Sequence, residues 1–248
     1  MKENICTIPV NEVFEENDGC PICRMRDIIE AKYIDYITGP AMMEPDIRIE
    51  TNRAGFCERH YSLLLTAGRA RLPVALTLES HLIDVREKML SKKPDKKMLE
   101  RMETLEDSCF VCEYIEPHLA RAIETVCLSY KNEPEFRKLY ESQPYICMKH
   151  YRMIVQNAKK PLGKEYDAFV EVTRRLVLKY ADSLQDDIAG FRDAFDYRNS
   201  GKPMPQASRD VIERTIEFLT ARPLVSRQET SRQETSKQET SKQDGSEK

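Results

Sequence analysis

CPIC at residues 20–23 and CERH at 57–60 decide how this chain is read, because both return later in the same order, as CFVC at 109–112 and CMKH at 147–150. The CxxC and the CxxH are separated by 33 residues in the first case and 34 in the second. Chance placement of eight cysteines along 248 positions would give roughly 0.2 CxxC pairs, so two with matched CxxH partners point to an internal duplication. Glu44-Pro45-Asp46-Ile47-Arg48 returns as Glu133-Pro134-Glu135-Phe136-Arg137, at an offset of 89.

Three cysteines and one histidine per repeat form the soft, four-ligand set that closes a structural zinc site. On a helix, residues i and i+3 share a face, so Cys57 with His60, and Cys147 with His150, can each reach one point. Closing the shorter loop costs less entropy. That argument assigns Cys20, Cys23, Cys57 and His60 to one ion, and Cys109, Cys112, Cys147 and His150 to a second. The EP-[DE]-x-R stretch between the motifs then reads as an irregular linker. Zn, as two ions, is the expected cofactor. An iron–sulfur cluster, which can accept histidine, is the minor alternative. A dithiol redox pair has the right spacing but lacks a βαβ context.

Away from the motifs the pattern is helical. Met25, Ile28, Ile29, Tyr33 and Ile37 recur at helical intervals behind Cys23, and Ile115, Leu119, Ile123 and Val126 do so behind Cys112. Cys127 falls on that second stripe and reads as a core thiol. Pro117 is expected near the first turn, where proline is tolerated. A further helix is expected from Val74 to about Lys92. Steps of three and four from Tyr166 to Phe195 predict a long amphipathic helix. Ser208 is a candidate N-cap for a last helix through Val211, Ile212 and Leu219. No stretch alternates with period two for long, and eight glycines leave few sharp turns. The expected fold class is all-α. Residues 1–95 hold the first repeat; residues 96–222 hold the second, with the long and C-terminal helices. Residues 223–248 form a pentapeptide-repeat tail, SRQET SRQET SKQET, without apolar side chains from Ser226 on, and so read as disordered.

Formal net charge is −3, and the tail from Ser226 holds five charges of each sign, so the acidic balance belongs to the preceding chain. That balance weighs against nucleic acid as a partner. No apolar run suggests a signal peptide or a membrane span, so the expected location is cytoplasmic, where thiols stay reduced. His81, His118 and Cys6 have no ligand partners at useful spacing.

TIPVNEVFEENDGCPIC, MEPDIRIETNRAGFCERH and FDYRN (195–199) resemble a bacterial family of unknown function with twin CxxC…CxxH motifs, over about residues 6–220. The resemblance supports the duplication and the metal ligands, and adds Asp196, Tyr197 and Arg198 as a candidate groove. No phosphate-binding glycine motif or nucleophile–base pair is present. The expected role is therefore a non-enzymatic scaffold or interaction module with a protein partner. An enzyme with its site between the repeats and a nucleic-acid-binding zinc protein are the alternatives.

Overall fold

The structure is a computed structural model that describes residues 8–39, 41, 44–66, 71–199, 201 and 203–222. Cys6 and the pentapeptide tail lie outside the described residues. Among those residues every regular element is helical, and no helix is long and apolar enough to cross a membrane. In chain order the helices are α1 (Ile8–Glu15), α2 (Pro21–Thr38), α3 (Pro45–Ala54), α4 (Glu58–Thr66) and α5 (Arg71–Val85), which runs on into a π-helical turn, Arg86–Leu90. Then follow α6 (Lys96–Asp107), α7 (Phe110–Asn132), α8 (Pro134–Glu141), α9 (Met148–Leu162), α10 (Tyr166–Ala194) and α11 (Val211–Thr220).

The two CxxC-to-CxxH segments use their residues alike. Each CxxC starts a long helix, α2 or α7; each Glu-Pro starts a short one, α3 or α8; each CxxH starts another, α4 or α9. The Glu-Pro stretches are thus not irregular linkers. Pro45 and Pro134 occupy the first helical position, where a missing N–H costs nothing and the fixed φ already suits the helix. Helix α6 was not expected. Its apolar residues, Met98, Leu99, Met102 and Leu105, are diluted by charge, and none of its side chains is fully buried. Pro117 sits two turns inside α7 rather than in the first turn. Ser208 lies in a short 3-10 turn, and Asp210 occupies the N-cap position of α11 without a side-chain capping hydrogen bond.

Helices α2 and α7 pack antiparallel at the centre. The start of α2 (Cys20, Ile22, Met25) shares a core with Leu119, Ile123, Val126 and Cys127 of α7. The end of α2 (Tyr33, Ile34, Ile37) shares a second core with Phe110, Val111 and Ile115 at the start of α7. The first and larger core is completed by α1, α8, α9, α10 and α11, the second by α3, α4 and α5. Aromatic rings fill the larger one: Phe14 lies 5.1 Å from Phe136, Tyr130 lies 4.7 Å from Phe169, and Tyr145 stacks on Tyr180 at 3.9 Å. Its buried hydroxyl, Tyr140 Oη, lies 2.8 Å from Thr173 Oγ1, so ring burial leaves no orphan there. Cys127 is fully buried in this core, and burial pushes its thiol up to about 12.

Gly55 links the two segments. Its carbonyl accepts from the Phe110 N–H at 3.0 Å, and Ser108 Oγ donates to the neighbouring Ala54 carbonyl at 2.8 Å. Its backbone sits at φ 56, ψ −156, a region essentially reserved for glycine. A Cβ there would also stand 3.2 Å from Leu105 Cδ1. Gly55→Ala is expected to cost about 2 kcal/mol in denaturant unfolding and to weaken the cluster that begins two residues later. An unchanged midpoint would show that the turn relaxes freely.

Candidate metal centres

Antiparallel packing brings helix starts together in pairs. Cys20 and Cys147 are the N-caps of α2 and α9, and these two helix starts meet at one end of the molecule. Cys109 is the N-cap of α7, which meets Cys57, the residue just before α4, at the other. A helix N-terminus carries partial positive charge, which favours a thiolate over a thiol. Each meeting point therefore has two such ends directed at sulfur.

Cys20, Cys23, Cys147 and His150 form the first cluster, and Cys57, His60, Cys109 and Cys112 the second. In each, the four ligand atoms lie within 4.8 Å of one another, and each group could hold a metal ion. In the first, Cys23 Sγ lies 3.7 Å from Cys147 Sγ, and His150 Nδ1 lies 3.6, 3.3 and 3.1 Å from the sulfurs of Cys20, Cys23 and Cys147. In the second, His60 Nδ1 lies 3.1, 3.1 and 3.5 Å from those of Cys57, Cys109 and Cys112.

All eight residues singled out by spacing are gathered, but the pairing within each repeat is overturned. Each cluster takes its CxxC from one CxxC-to-CxxH segment and its CxxH from the other. The reason is mechanical. Helix α2 has 18 residues, so it carries the chain about 27 Å away from Cys20. Helix α3 has only 10 residues and can return it roughly half that distance. Cys57 thus arrives beside the start of α7, not the start of α2. Loop-closure entropy favours the shorter loop only for a flexible connection, and stiff helices do not obey it.

The thiols interact strongly. Burial opposes ionisation of Cys20, yet hydrogen bonds with Cys147, Cys23 and His150 hold its thiol well below the ordinary range. In the other cluster the hydrogen bond with Cys112 holds Cys109 down at about 3, and Cys112 is pushed up in turn by Cys109 and by burial. One thiolate per cluster discourages the next. A divalent cation at the centre would reverse that and displace the remaining protons.

The two histidines differ in what stands behind them. His60 Nε2 donates to Glu30 Oε1 at 3.0 Å. The same carboxylate takes Arg59 at 2.6 Å and Arg222 at 3.1 Å. Burial works to raise the Glu30 carboxyl, but His60, Arg59 and Arg222 hold it below the usual carboxylate range. A carboxylate behind a ligating histidine fixes the ring and makes it a better ligand. His150 Nε2 is fully buried and has no partner among the described residues. At the repeat offset of 89, the residue equivalent to Glu30 is Leu119, which offers no acceptor. Glu30 was missed by sequence reasoning. The signal was there: it lies seven residues after Cys23, on the same helix face, where the second repeat has leucine.

Arg26 is buried and donates to the carbonyl of Ala221, so the end of α11 rests on the first cluster, and Arg222 reaches across to Glu30. The remaining candidates lie elsewhere. Asp196 and Arg198 pair at 2.6 Å in an exposed turn beyond α10, with Tyr197 84% exposed, and none of the three lines the cavities beside the clusters. His118 Nδ1 donates to the Tyr114 carbonyl at 2.7 Å. His81 is buried, and its Nδ1 has no partner among the described residues.

Fold and clusters together define a class: an all-helical protein with two Cys₃His sets, each shared between two CxxC-to-CxxH segments. The chain belongs to the family of unknown function DUF6062, whose model matches residues 1–225. It matches no curated protein and no solved structure.

Proposed function

We propose that each cluster binds one zinc ion and that the two ions bolt the halves together, making a cytoplasmic, non-enzymatic scaffold that presents a rigid helical surface to a protein partner. The observation that carries this reading is the spacing of the ligand atoms. Zinc–sulfur bonds near 2.3 Å and zinc–nitrogen bonds near 2.0–2.1 Å give tetrahedral edges of about 3.8 Å for S···S and about 3.6 Å for S···N. The separations of 3.7 Å between Cys23 and Cys147, and 3.1–3.6 Å from sulfur to histidine nitrogen, match or fall slightly inside those edges. Four protein ligands fill the coordination sphere, which suits a structural ion. The partner reading is supported by Leu72, Leu82, Leu90 and Leu99, on α5, its π-helical extension and α6, which are each more than half exposed.

Elemental analysis of the purified protein is expected to find two zinc ions per chain in a colourless solution. Stoichiometric iron with a brown colour would overturn the zinc assignment. Folded, metal-free protein would overturn metal binding altogether.

A further inference from the structure

The two clusters face solvent differently. Beside Cys57, Cys109 and Cys112 lies a cavity of about 450 Å³, also lined by Glu106, Asp107, Glu113 and Glu116. No cationic side chain lines it. Glu113 is bound by Arg53 at 2.5 Å, while Glu106, Asp107 and Glu116 are exposed. Two of the four ligands here, Cys57 and Cys112, are partly exposed. At the other cluster only Cys23 is. The cavity beside that cluster contains Arg24; its Asp18 and Asp27 are engaged by Arg24 and Arg26, and its third carboxylate, Glu217, is half-buried.

We infer that the Cys57–His60–Cys109–Cys112 centre is the exchangeable metal site, and that Glu106, Asp107 and Glu116 form the entry for a divalent cation. This rests on the proposal that both clusters bind metal. A cleft lined by one sign of charge raises the local concentration of its counter-ion and speeds arrival tenfold or more. Metal exchange at a filled tetrahedral site needs a ligand that an incoming ion can reach. Cys57 and Cys112 offer two such sulfurs, and Cys109, 4% exposed, holds the ion from behind. Glu30 keeps His60 aimed throughout, so easy access does not mean a weak site. The other centre opens on a cavity of similar size, about 440 Å³, but offers one partly exposed sulfur, Cys23, behind a lining that includes the Arg24 cation, so it exchanges its ion more slowly.

The test uses the intact, metal-loaded protein. Cadmium-113 is added, and its arrival at each centre is followed by NMR, with the two resonances assigned through their couplings to the Hβ protons of Cys57 and Cys147. The expected result at low salt is replacement at the Cys57 centre at least tenfold faster than at the Cys147 centre. The triple variant Glu106→Gln, Asp107→Asn, Glu116→Gln alters only exposed side chains. It should slow the Cys57 centre by roughly tenfold and leave the other rate alone. Near 0.5 M salt, where screening shortens the reach of surface charge to a few ångströms, the wild type and the triple variant should exchange at the Cys57 centre at the same rate, and only the part of the difference between centres that comes from the reachable sulfurs should remain. Equal rates at the two centres, faster exchange at Cys147, or an unaffected triple variant would overturn the inference while leaving metal binding in place. Absence of any thiolate-bound cadmium signal would overturn both.

Discussion

Cys147→Ser is expected to lose one metal ion and to melt at least ~15 °C below the wild type. A structural zinc ion is worth about 10–16 kcal/mol in apparent binding energy, against a net stability near 5–15 kcal/mol for a whole domain. Serine is a poor zinc ligand, so most of one ion's contribution goes. Even a loss of about 5 kcal/mol lowers Tm by roughly 15 °C in a chain of this size. Cys147 is fully buried and belongs to the larger core, alongside Ile146 and Ile154. Its loss frees the start of α9 from the start of α2. Cys57→Ser removes a partly exposed ligand beside the smaller core, so its fall should be smaller. Differential scanning calorimetry with metal analysis checks both. A Cys147→Ser protein that melts like wild type would remove the ion from the account of stability.

Glu30→Ala is expected to weaken the Cys57–His60–Cys109–Cys112 centre about 10–100-fold, the usual cost of removing a carboxylate behind a ligating histidine. The other centre should keep its affinity. The same change should lower stability by about 2–3 kcal/mol. Breaking a buried ion pair costs about 3–5 kcal/mol, but Arg59 and Arg222 are 33% and 27% exposed and recover part of their hydration. Glu30→Gln keeps an acceptor for the His60 N–H while losing the charge, so its affinity should fall between the two. Chelator competition resolved by centre gives the reading. Equal weakening of both centres would mean that Glu30 acts through the fold and not through His60.

The reach of the sequence was uneven, for physical reasons. Motif spacing picked out all eight residues that the fold gathers into the two clusters, because metal chemistry restricts residue type and short-range spacing. Helical periodicity placed α2, α7 and α10, whose apolar stripes are long and regular. Partner choice between motifs was not legible from spacing, since it depends on which way a stiff 18-residue helix carries the chain. Helix α6 was hidden because its apolar face is left partly exposed. The EP-[DE]-x-R stretches were read as an irregular linker, although Pro45 and Pro134 each open a short helix, whose first turn accepts proline. Glu30 was passed over because a single charge on an apolar stripe looks like a surface residue until His60 is seen beside it.

The central claim is that each proposed metal centre joins the CxxC of one CxxC-to-CxxH segment to the CxxH of the other. Amide hydrogen exchange on Cys57→Ser tests it most directly, since ligands that share an ion loosen together when the ion leaves. The account predicts faster exchange around residues 57–64 and 109–115, with residues 20–26 and 147–154 still protected. Loosening of 20–26 while 109–115 stays protected would contradict it.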